Sequence, residues 1–333
     1  MRETVRLTYV EAIRSAFQYL LANYTEVFTI GQGLWSPWYV GASMANLDVE
    51  FGRDRVIDTP VSEAACTGVA LGASLCGYRP IMVHPRVDFM LLAVDQMVNQ
   101  AAKWSYMFGG NVRPAVTFRG IVNRGGEQGA QHSQALHAWF AHIPGLRVVM
   151  PASVADARDL LIASVLCDDP VLYIDDRWLY QEQGDIPPVV ECPLENEGPK
   201  VVREGSDVTL VGSSFSTLLC LRAADILAER GVSAEVVDLR IVNPLDLAPI
   251  VDLVAKTGRL CAVDGGWRTC GLAGEVIAGV VERLDPRQLK AAPRRVTLPD
   301  APAPTSKPLE DAYYPQPGQI VSAVLQILSS TSR

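Results

Sequence analysis

Short apolar runs alternate with helix-length segments along most of this chain, and that order can be accommodated only by a mainly parallel sheet covered on both faces by helices, an α/β fold. Thr8-Tyr9-Val10-Glu11 has the spacing of a capping box, and Ala12, Ile13, Ala16, Phe17, Leu20 and Leu21 follow with helical period. Strands are predicted at Val27–Gly31, Arg55–Asp58, Pro80–Val83, Ala115–Phe118, Leu146–Pro151 and Val171–Ile174, with a helix from Met90 to Tyr106. From about 182 to 206 the alternation lapses into prolines, glycines and polar residues. It resumes with a strand at Val208–Gly212, a helix over 217–230, strands at Ala234–Leu239 and Leu260–Val263, and a helix from Gly274 to Leu284. A chain of 333 residues exceeds what one hydrophobic core usually serves. Two domains are therefore expected, 1–183 and 207–333, joined by a linker with little periodic structure over 184–206.

A formal charge of −8 argues against general affinity for nucleic acid or an anionic membrane. Seven widely spaced cysteines without a Cys-x-x-Cys pair suggest neither a disulfide framework nor a zinc site. Without an apolar leader, a transit-like segment or a membrane-length apolar stretch, the expected location is the cytoplasm.

The residue with most to say about chemistry is Glu63, in Asp58-Thr59-Pro60-Val61-Ser62-Glu63, between a short strand and a small-residue helix. Ligands of α/β sheets dock at such turns. The residues alone leave a second reading open, a helix start in which Ser62 caps and Glu63 favours the dipole. Among the histidines, His132 and His137 follow a glycine-rich stretch at 125–129. His137 reads as an exposed helix residue and His142 as a structural one hydrogen-bonded near Pro144-Gly145, while His84 has no evident role.

Several strings together resemble the beta subunit of the thiamin-diphosphate-dependent 2-oxo acid dehydrogenase decarboxylating component. They are Arg55-Val56-Ile57-Asp58-Thr59-Pro60-Val61-Ser62-Glu63, Asp95-Gln96-Met97-Val98-Asn99-Gln100-Ala101-Ala102-Lys103, Gly129-Ala130-Gln131-His132-Ser133-Gln134, Asp238-Leu239-Arg240-Ile241-Val242-Asn243-Pro244, and Asp264-Gly265-Gly266-Trp267. The resemblance implies a pyrimidine-binding domain followed by a transketolase-type C-terminal domain. It also implies that Glu63 bonds a ring nitrogen of the coenzyme's aminopyrimidine, moving a proton that activates the coenzyme. Phe89 would pack on the pyrimidine face, and His132 would orient substrate and assist acyl transfer. Neither Gly-Asp-Gly nor Asn-Asn occurs in this chain, so magnesium and the diphosphate are expected on an alpha subunit. A second beta subunit and a lipoyl-bearing acyltransferase complete the implied assembly. Family members also carry a backbone-carbonyl potassium site near the segments matching Val116, Ser164, Cys167 and Asp169. Cys167 departs from the aspartate often found there.

Other departures bear on the substrate. Gln32 stands where the family generally has glutamate, Arg86 where it has Thr or Phe, and Arg124 where it has a small residue. One anion lost and two cations gained point to a substrate with an extra negative charge held by Arg86 and Arg124, although solvated surface arginines are the competing reading. Two alternatives to the dehydrogenase stay open: a two-chain transketolase-like or acyloin-forming carboligase, and a non-catalytic scaffold subunit.

Overall fold

The computed structural model describes residues 4–330, which form two compact units: 4–124 with 139–197, and 125–138 with 198–330. The stretch 125–138, counted by sequence within the first domain, thus clusters with the C-terminal part of the chain.

In the first unit, six parallel strands lie side by side in the order Arg147–Val149, Val171–Asp176, Thr117–Val122, Arg79–His84, Val27–Gly31, Val56–Asp58. Such strands are buried on both faces, which is why Val171–Asp176 and Thr117–Val122 expose nothing. Tyr9–Asn23 packs on Val154–Leu166, burying the predicted Ala12, Ile13, Ala16, Phe17, Leu20 and Leu21. Its capping box forms as expected, the Thr8 hydroxyl accepting from Glu11 N while the Glu11 carboxylate accepts from Thr8 N.

Two differences have physical reasons. The predicted helix from Met90 to Tyr106 is not uniform: Val87–Met90 is α-helical, Leu91–Ala93 tightens into a 3₁₀ turn, Asp95–Ala101 widens into π-helix and Ala102–Met107 returns to α. Apolar spacing marks a buried face and does not register a change of hydrogen-bond ladder. Within the expected linker, Gln183–Ile186 pairs antiparallel with Val5–Thr8, and Lys200–Arg203 adds an antiparallel edge strand to the second unit. Both gain their hydrogen bonds from distant segments, so local propensity gives no sign of them.

The second unit is a five-stranded sheet in the order Arg294–Leu298, Leu260–Trp267, Val208–Gly212, Ala234–Asp238, Lys200–Arg203. Phe215–Ala228 and Pro317–Ser329 cover it, with Leu219, Ala223, Leu227, Ile320, Val324 and Ile327 in one core. No helix among the described residues is long and apolar enough to cross a membrane.

Candidate functional site

Parallel pairing brings the carboxyl ends of the first unit's strands to one edge. Gly31 pairs with Asp58 and with Val83, His84 with Gly120, and Val122 with Asp176. The chain leaves Val27–Gly31 for an edge strand on one side and returns to Arg79–His84 on the other. That reversal is the switch point at which open α/β sheets bind ligands. Gly31 is required there, since a Cβ would sit 2.4 Å from the Val83 carbonyl oxygen.

Five of the candidate residues follow directly from these strand ends. Gln32 comes after Gly31 and is buried. Asp58 turns back to accept the Gly33 N–H at 2.7 Å, and Thr59 N bonds Gly31 O at 2.9 Å, which fixes the turn leading to Glu63. Glu63 opens the helix Glu63–Ser74. The Ser62 side chain makes no capping hydrogen bond, so the capping role expected of it is not realised. Glu63 is only 5% exposed, yet no described residue hydrogen-bonds or ion-pairs with its carboxylate. A largely buried carboxylate that no protein group meets is open to a polar ligand. Phe89, on the short helix after Arg79–His84, presents a 39% exposed ring. A carboxylate awaiting a partner and an apolar ring on the same sheet edge fit the pyrimidine half of thiamin diphosphate.

Arg124 and Arg86 are not both solvated. Arg124 is buried, ion-paired with Asp176 and stacked 5.0 Å from the Trp178 ring centroid. Arg86 is half-buried and donates through Nη1 to the Asn123 carbonyl oxygen at 3.2 Å. Burial draws its guanidinium below the ordinary value, with Asp88 opposing and Arg177 reinforcing that effect. Arg177, at the end of Val171–Asp176, was not singled out in the sequence. Its signal would have been a cation directly after two strand-end acids, Asp175-Asp176.

His132 lies in the loop clustered with the second unit. That loop is held by reciprocal bonds: Glu127 N donates to both Glu310 carboxylate oxygens, and Lys307 N donates to Glu127 Oε1. Gly129, at φ 74°, has no room for a side chain because a Cβ would stand 2.5 Å from Thr305 Cγ2. His137, expected to be exposed, is instead buried with Nε2 2.8 Å from Asp264 Oδ1. Burial opposes the Asp264 charge, but His137 and N–H bonds from Gly266 and Ala273 prevail and hold its pKa below the usual range. His142 is exposed and makes no hydrogen bond among the described residues, and the Pro144 carbonyl near it is taken by Lys103.

His84 is buried at the end of its strand, with Nε2 3.3 Å from the Thr67 hydroxyl. Burial pushes its pKa from 6.5 to about 3. The unfolded chain therefore takes up a proton that the folded one refuses. This contribution to stability is complete above pH 6.5 and is lost as pH falls from there toward 3, at about 1.4 kcal/mol per pH unit. Urea unfolding at pH 7 and pH 5 should show this acid slope in the native protein, and His84→Asn should flatten it.

Several carbonyls near the residues implied for potassium already accept hydrogen bonds within the chain. Arg79 Nη1 already bonds the carbonyls of Val165 at 3.1 Å and Cys167 at 3.0 Å, and Thr117 Oγ1 donates to Ser164 O. The Val116 carbonyl accepts from Val171 N. Arg147 bonds Asp169 at 2.9 Å and approaches Glu195 at 3.7 Å. Burial pushes the Cys167 thiol up to about 11, so it is no thiolate ligand at neutral pH.

Matches to family models define the class. Residues 6–182 match the transketolase pyrimidine-binding domain and residues 199–320 the transketolase C-terminal domain. A solved structure described as a split-gene transketolase, inactive beta4 tetramer, shares the fold with a TM-score of 0.77 at 21% identity, covering 98% of this chain and 99% of that one. Among curated proteins, the chain is 41% identical to the beta subunit of acetoin:2,6-dichlorophenolindophenol oxidoreductase of Cupriavidus necator, over 81% of this chain and 79% of that protein. It is 39% identical to the mitochondrial pyruvate dehydrogenase E1 beta subunit of Saccharomyces cerevisiae, over 98% and 90%, and 37% identical to the corresponding Rickettsia bellii subunit, over 97% and 99%. The chain belongs to this family of E1-type beta subunits.

Proposed function

We propose that this chain is the beta subunit of a thiamin-diphosphate-dependent enzyme that decarboxylates a 2-oxo acid and passes the acyl unit to a lipoyl group, in a cytoplasmic assembly of alpha and beta chains. The observation that carries this reading is the buried Glu63 carboxylate, which no described residue satisfies, at the switch-point edge of a pyrimidine-binding domain. When bound, the coenzyme supplies a carbon nucleophile and an electron sink. Glu63 would hold a proton at the pyrimidine nitrogen and give it up again, a general acid-base task. Phe89 would fix the ring plane by offset stacking, and Gln32 would line the same edge. His132 would exchange a proton with the substrate near neutral pH. Residues 1–183 would act as the pyrimidine-binding domain, 184–206 as linker and 207–333 as the domain for subunit contacts. Magnesium and the diphosphate fall to the alpha chain, because this one lacks the segments to hold them.

Co-expression with an alpha chain that carries Gly-Asp-Gly tests this reading. Each chain alone should release no carbon dioxide from a panel of 2-oxo acids, and the complex should do so only with thiamin diphosphate present. Transfer to a lipoyl domain, followed as acyl-lipoyl product, separates the dehydrogenase from a carboligase, which would yield an acyloin from an aldehyde instead. Turnover by this chain alone would defeat the shared-coenzyme reading.

A further inference from the structure

The sheet edge that carries Glu63 also carries Arg86, Arg124 and Arg177, one after each of three adjacent strands, and the three are used differently. Arg124 is buried against Asp176 and Trp178, and so it braces the end of its strand. Arg86 and Arg177 are half-buried and converge on a single neutral group. With the Asn123 amide turned so that its oxygen faces them, that oxygen accepts from Arg86 Nη1 and Nη2 at 3.2 Å each and from Arg177 Nη1 at 2.8 Å. Asn123 is itself buried, fixed between Val122 and Arg124 at the strand end.

A shared amide oxygen sets the spacing of two guanidinium groups but does nothing to their mutual repulsion. Each guanidinium is a planar fork of N–H donors shaped to meet two oxygens at once. Asp88 lies beside Arg86 and Asp176 pairs with Arg124, whereas Arg177 faces the neutral amide, a local excess of one positive charge. That excess matches a singly charged carboxylate better than a doubly charged phosphate.

We propose that Arg86 and Arg177, spaced by Asn123, bind a second carboxylate of the substrate, so that the enzyme acts on 2-oxo dicarboxylic acids in preference to alkyl 2-oxo acids of equal length. Arg124 is a positioning residue in this arrangement, which replaces its expected direct contact with substrate. The inference rests on the proposed 2-oxo acid activity and adds the substrate class.

The test uses the complex with the alpha chain and two five-carbon probes, 2-oxoglutarate and 2-oxopentanoate, which differ only in the terminal carboxylate. Decarboxylation is followed as carbon dioxide release with 2,6-dichlorophenolindophenol as electron acceptor. The wild-type kcat/KM should favour 2-oxoglutarate, and Arg177→Gln and Arg86→Gln should each lower the ratio of the two values about 100-fold, mainly through KM. A ratio unchanged in both variants, or a wild-type preference for 2-oxopentanoate, overturns the proposal. Isothermal titration with 2-oxoglutarate separates this failure from failure of the proposed activity. Binding that is weakened by Arg177→Gln supports the fork even if neither acid is turned over, whereas absence of binding by the wild-type complex overturns it. Melting curves establish that the variants fold.

Discussion

Glu63→Gln is expected to lower turnover of the assembled enzyme about 1,000-fold, within the range of about 100- to 10,000-fold typical when a positioned acid-base group is removed, while leaving folding and assembly intact. Glutamine keeps the size of the side chain and its ability to accept a hydrogen bond, and it loses the charge and the capacity to take and release a proton. Folding should not suffer, because no described residue bonds the carboxylate and the amide is cheaper to bury than the charge. The measurement is carbon dioxide release by the complex, set beside its melting temperature and its retention of the alpha chain. Intact turnover would assign Glu63 a structural role at the helix start. Loss of turnover together with loss of assembly would mean that the residue holds subunits and not a proton.

The part of this site that could be read in the sequence is the part made by local order. A short apolar strand, a turn containing Pro60 and a small-residue helix announce a parallel α/β edge, and Glu63 stands in that turn whether or not any relative is known. Phe89 is different. An isolated phenylalanine after a strand is ordinarily core, and only the resemblance marked it, so its exposure could not be foreseen from spacing. The burial of His137 is not written in its neighbourhood because its partner, Asp264, lies 127 residues away, and no local pattern tells a buried imidazole in a polar stretch from a solvated one. Arg124 and Arg177 divide for the same reason. Whether an arginine is neutralised depends on which acid the neighbouring strand delivers, here Asp176, and strand neighbours are set by topology.

Asp175→Ala should be the most destabilising single change in the first unit, costing about 3–5 kcal/mol. Arg119 lies fully buried in the middle of a strand, and Asp175 on the adjacent strand grips it through Nε to Oδ1 and Nη2 to Oδ2, both at 2.9 Å. Ser43 Oγ at 2.7 Å and Tyr180 Oη at 3.1 Å accept from the remaining face of the guanidinium. Burial opposes the arginine charge, but Asp175 more than compensates and raises its pKa, so Arg119 cannot escape the loss of its partner by shedding a proton at any ordinary pH. An uncompensated cation at the centre of the sheet is what the alanine variant would leave. Its melting temperature should fall by roughly 10 °C, taking about 2–4 °C per kcal/mol for a unit of this size. Replacing both partners, with Arg119→Met and Asp175→Leu, should restore much of the loss, since two apolar side chains of similar volume need no counter-charge. If the double variant melts as low as Asp175→Ala, the pair contributes through its hydrogen bonds to Ser43 and Tyr180 and not through the balance of charge.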